Sequence, residues 1–157
     1  MASWTRTPDP PTIMNHKNRE RIQPRGSDVP AAGRTCFAGR DGFSILMGSA
    51  ALSVQALKAG FNGLVPSSGN LVPELWQRLW NHASAGEWAE AEQLQARLDA
   101  IGAVLQRNRT LGGYLAALKA ALAEQSVCTA DVMPPLRPLP ESDRASIRSE
   151  LATLEVF

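Results

Sequence analysis

Beyond residue 70 the apolar positions recur every three to four residues, the period of helices that turn one face inward. Leu71, Leu75 and Leu79 stand at i, i+4 and i+8, with Trp76 and Trp80 beside them. Asn70 is suited to cap this helix, Pro73 falls in its first turn where a missing donor is harmless, and Gly86 closes it. A second stripe, Ala91, Leu94, Leu98, Ile101 and Leu105, predicts a long amphipathic helix over 88–107, with Glu90, Glu92 and Arg97 off the stripe. Gly112 and Gly113 interrupt the pattern. A third helix is expected over 114–125 on Leu115, Leu118 and Leu122, where several alanines allow a close neighbour. Pro134, Pro135 and Pro138 forbid helix and make 128–139 an extended strap. A last helix should start at Ser142 and bury Ile147, Leu151 and Leu154.

Upstream the pattern differs. Thr35-Cys36-Phe37-Ala38 is short and apolar, as a buried parallel strand would be, and Gly39 marks its end. Residues 43–59 are almost wholly apolar, with Ile45, Leu46, Leu52, Val54 and Leu57 spread round the helical wheel, so they predict a helix covered on most sides and capped by Gly60. Gly63-Leu64-Val65 is a second strand candidate, and Pro66-Ser67-Ser68-Gly69 the loop beyond it. Strand, helix and strand make one βα crossover. Residues 1–35 hold Pro8, Pro10, Pro11, Pro24 and Pro30 with no sustained period, and read as an arm.

A chain of 157 residues with 44% hydrophobic and 20% charged residues fits one globular domain, but a complete eight-stranded βα barrel needs about 250. Net charge is +1 and unevenly spread: residues 1–35 carry six Lys/Arg against three Asp/Glu, the rest ten against twelve. The arm lacks the aromatic interleaving and dense basic stripe of a nucleic-acid surface, so no nucleic-acid partner is expected. Cys36 and Cys128 form no CxxC or Cys/His grouping, and His16 and His82 have no ligand partner at i+3 or i+4. Neither a disulfide scaffold nor a metal site is indicated. There is no apolar leader segment and no run of the ~18 apolar residues that a membrane span requires, so a cytoplasmic protein without a membrane partner is expected.

Several motifs together resemble the C-terminal part of the dihydrodipicolinate synthase and N-acetylneuraminate lyase family. They are Ala38-Gly39-Arg40-Asp41, the run Gly60 to Val65 with Asn70 and Pro73-Glu74-Leu75, Gly86-Glu87-Trp88 with Ala89-Glu90-Ala91, Ala117-Leu118-Lys119-Ala120-Ala121, and Pro134-Pro135-Leu136 with Pro138-Leu139. Their order and spacing match over 36–157, while residues 1–35 show no counterpart.

The resemblance implies a fold of α/β origin that is mostly α as it stands: the last two βα units of a (β/α)8 TIM barrel plus a C-terminal helical extension. Residues 36–70 would hold strand 7, helix 7 and strand 8, and 71–157 the final barrel helix and the extension. It also implies that the backbone of Gly39 lines the substrate pocket, that the main chain of Val65 lies near the Schiff-base lysine, and that Asp41 and Ser67 match positions that contact the hydroxylated tail of sugar-acid substrates in the neuraminate lyase branch. The acidic residue of the neuraminate lyase branch is Gly42 here, which speaks against a sialic-acid substrate.

Members of the family are Schiff-base lyases or aldolases that join pyruvate or another 2-oxo acid to an aldehyde. They use a lysine freed as a nucleophile by burial and a proton-relaying tyrosine, and no separate cofactor. Neither residue has a counterpart in this chain. Lys17 lies in nothing strand-like, Lys119 reads as a scaffold lysine, and Tyr114 matches no catalytic position. The chain is therefore expected to be an inactive fragment by itself, with a homo-oligomer or the missing barrel half as partner. The alternative is a helical subunit-interaction module without catalysis.

Overall fold

The structure, a computed structural model, describes residues 44–157. The strand expected over 35–38 lies outside the described residues, as do the arm over 1–35, Cys36, Gly39 and Asp41. Within them, two short strands, β1 (Leu46–Met47) and β2 (Gly63–Leu64), pair in parallel with Leu46 opposite Gly63 and Met47 opposite Leu64. A 3-10 turn (Ala50–Leu52) and a short helix α1 (Ser53–Lys58) connect them.

The continuous helix expected over 43–59 is therefore not formed: its first part is strand, and helix starts only past Gly48 and Ser49. A continuous apolar run has no period by which to tell a buried strand from a buried helix. Here the backbone of Ile45 and Met47 is taken up by the β2 segment: the Asn62 and Val65 amides that flank β2 donate to their carbonyls at 2.8 Å each. Gly48 then weakens any helical continuation. Gly60, with φ of 85°, follows the end of α1 as expected.

Four helices follow: α2 (Pro73–Ser84), α3 (Trp88–Gln106), α4 (Leu111–Glu124) and α5 (Glu141–Thr153). Asn70 is not the cap of α2. It ends a 3-10 turn (Ser67–Asn70) in which its side-chain amide donates to the Ser67 carbonyl at 3.0 Å, and α2 begins with Pro73 in the first turn. Gly86 closes α2 at φ of 79°.

Helix α4 starts three residues earlier than the pattern predicts, because Thr110 caps it by accepting from the Gly113 amide at 3.3 Å. The glycine pair thus sits inside the first turn. A Cβ on Gly112 would lie 3.1 Å from Leu136 Cδ2, so the glycine lets the proline strap cross close over the helix start. The strap is non-helical over 128–139, and Lys119 pins it by donating to the Asp131 carbonyl.

The apolar stripes meet in one core. Leu71, Leu79, Ile101, Leu105 and Leu151 are essentially fully buried within it, and Trp76, Leu98 and Ile147 join them. A smaller cluster of Met47, Ala56 and Phe61 lies where β1 packs on α1. Leu64 touches both, which couples the sheet to the helices.

Candidate functional site

Side chains alternate across a strand, and the two faces of this sheet differ sharply. Met47 and Leu64 turn toward the helices. Leu46, Gly63 and Val65 share the opposite face, where Leu46 is 52% and Val65 58% exposed. A Cβ on Gly63 would stand only 2.8 Å from Leu46 Cδ2, so the glycine makes room for the leucine. The sheet thus presents an apolar wall with nothing over it among the described residues.

Ser67 lies two residues past Val65, but the structure does not bring their side chains into one cavity. Ser67 faces a cleft of about 500 Å³ whose walls include Gly48 and Ser49 after β1, and Asn108, Arg109 and Tyr114 before and within α4. Its Oγ is 2.7 Å from Tyr114 Oη. Val65 lines a separate groove beside α2.

Tyr114 was not expected at a site. It is the single tyrosine of the chain, but the contact spans 47 positions and no local spacing announces it. Arg109, at the rim, is engaged in closing α3: its Nη1 donates to the carbonyls of Val104 and Leu105 at 2.9 and 3.2 Å. Ser67 and Tyr114 thus place two mutually hydrogen-bonded hydroxyls on the cleft, beside the hydroxyl-bearing Ser49 and Thr110.

Among the described residues the cleft contains no amine nucleophile. Of the two described lysines, Lys58 pairs with Glu92 and lies 5.5 Å from the Trp88 ring centroid, and Lys119 holds the strap. Neither lines the cleft. Perturbed carboxyls also lie elsewhere. The guanidinium of Arg107 on Glu150, helped by the Ser146 hydroxyl, and that of Arg148 on Glu124 hold both carboxyls below the usual range. Their role is to fasten α5 to α3 and α4.

A model of the dihydrodipicolinate synthetase family matches residues 28–154, reaching back into the segment read as an arm. The chain belongs to this family. A DapA-like lyase of Halobacterium salinarum is 32% identical over 133 residues, which cover 85% of this chain and 42% of that protein. The dihydrodipicolinate synthase of Bacteroides thetaiotaomicron superposes with a TM-score of 0.75 at 25% identity, over 82% of this chain and 43% of that one. A prophage protein of the dihydrodipicolinic acid synthase family from E. coli K12, solved in complex with pyruvate, gives 0.71 at 22%, again over 82% and 43%. The chain spans less than half the length of these family members, in keeping with a C-terminal portion of a TIM barrel.

Proposed function

We propose that the chain supplies the last two βα units and the helical extension of a Schiff-base lyase or aldolase barrel that acts on pyruvate and an aldehyde. By itself it forms no Schiff base. What carries this reading is a rim built at the C-terminal ends of the strands, where βα barrels hold their sites, with no lysine on it among the described residues. Lys58 and Lys119 are engaged elsewhere, on Glu92 and on the Asp131 carbonyl.

In this reading Gly39, Asp41, Val65 and Ser67 contribute to substrate binding, Val65 and Ser67 from separate surfaces, and the Tyr114 hydroxyl holds Ser67 in place. The protons and the covalent bond belong to residues on the remaining barrel units. Incubating the purified chain with pyruvate and borohydride, then measuring its intact mass, tests the reading. The mass should stay unchanged. A stoichiometric adduct on one lysine would overturn it.

A further inference from the structure

We propose that Gln95 is the positioning residue for the β1 wall of the cleft: from outside the cleft it fixes the loop over 48–54, and Asp99 fixes Gln95 in turn. That this loop borders a substrate pocket rests on the half-barrel reading above.

Gly48, Ser49, Ala50 and Ala51 form that wall, between the end of β1 and the start of α1. The segment has little of its own to hold it. Helix α1 has six residues, too few for stability by itself, and its N-cap is Leu52, whose side chain makes no capping hydrogen bond. Within the loop the Ser49 carbonyl accepts from the Leu52 amide at 3.2 Å and from the buried Ser53 hydroxyl at 3.3 Å. The Ala50 carbonyl accepts from the Ser53 amide, and α3 then supplies what the loop does not. Gln95 Nε2 donates to the Ala50 carbonyl at 3.0 Å, and Gln95 Oε1 accepts from the Val54 amide at 3.3 Å, in the first turn of α1 where a helix leaves its own donors open.

The polarity of these contacts selects glutamine, because a carboxamide brings two donor hydrogens and an acceptor oxygen on one rigid group. Nε2 also donates to Asp99 Oδ1 at 2.8 Å, one helical turn further along α3. Turning the amide over would set its oxygen against two acceptor oxygens and its NH2 against an N–H. Asp99 thereby holds the orientation that the loop requires. Glu92, on the same side of α3, holds the far end of α1 through Lys58. None of the three lines the cleft, so they act on it only through the loop.

Amide exchange in the isotope-labelled full chain tests this. Gln95→Met keeps the length of the side chain but removes donor and acceptor. Exchange at Leu52, Ser53 and Val54 should rise by about tenfold or more, and the resonances over 48–51 should shift, while amides inside α2 and α4 stay within about twofold. Gln95→Glu keeps an acceptor but sets a second carboxylate against Asp99, and should loosen the same amides. Adding Asp99→Asn to it should restore protection at Val54, because the new side-chain amide then donates to the new carboxylate. A role in packing predicts no such rescue. Unchanged exchange over 52–54 in Gln95→Met, a rise shared equally by α2 and α4, or a failed rescue would each overturn the proposal. If Gln95→Met does not fold, the rescue decides by itself. A borohydride-trapped adduct on the chain would instead overturn the half-barrel reading and leave the clamp standing.

Discussion

Leu79 and Ile101 have no exposed surface and come from different helices, so each is held by side chains that its own helix does not supply. Truncating either leaves a cavity that rigid helices only partly close. Leu79→Ala should lower the free energy of unfolding by about 2–5 kcal/mol in a urea titration. Tyr114 is a milder case, because the ring packs against the core and only its hydroxyl meets Ser67. Tyr114→Phe removes one partly hydrated hydrogen bond and should cost about 1 kcal/mol or less, with the fold unchanged. A loss as large as that for Leu79→Ala would mean that the cleft depends on this pair. Val65 differs again: its side chain is exposed and its structural contribution is an amide bond to Met47. Val65→Thr should leave stability within about 0.5 kcal/mol while reducing binding of a hydrophobic dye to the open sheet face.

Among the elements, α5 depends most visibly on charge. It buries Ile147 and Leu151, and two ion pairs, Arg107–Glu150 and Arg148–Glu124, tie its exposed flank to α3 and α4. Hydrogen bonding from the guanidinium groups lowers the carboxyl pKa in the folded state, so the folded chain binds the acid proton less readily than the unfolded chain. The stabilisation is therefore complete above the ordinary glutamate value of about 4.3 and is lost as pH falls through the lower folded value. The arginines stay charged throughout, their own pKa values being raised by the same pairs. Amide exchange in α5 should accelerate as pH is taken below about 4.3, beyond the intrinsic effect of pH on exchange, and adding salt at neutral pH should produce a weaker form of the same change. Glu124→Gln with Glu150→Gln should remove most of that pH dependence. If it persists, the acid sensitivity lies elsewhere.

At the scale of the molecule, the helical body and the sheet have different kinds of completeness. The body closes its own core, whereas among the described residues the sheet has two strands, an apolar face in the open and an edge beside a tryptophan-lined groove. Exposed apolar surface of this kind calls for a partner. The helical stripes were legible in the sequence because each helix repeats its inward positions at the period of its own backbone. Trp76, Leu98 and Ile147 are buried where the pattern put them. The strap was legible because proline excludes helix whatever its surroundings.

The sequence by itself thus determined the helices over 73–106 and 141–153, the extended strap and the family. Each of these is written in local periodicity, in proline and glycine, or in motifs whose order survives without the rest of the barrel. Only the tertiary structure decided that Leu46–Met47 is the strand beside Gly63–Leu64 and not part of a helix, since a uniformly apolar segment carries no period and pairing chooses its backbone. The same holds for the meeting of Ser67 with Tyr114 and for the Trp76 indole, unpaired among the described residues. These rest on contacts across the fold, and spacing along the chain holds no record of which distant residue will arrive.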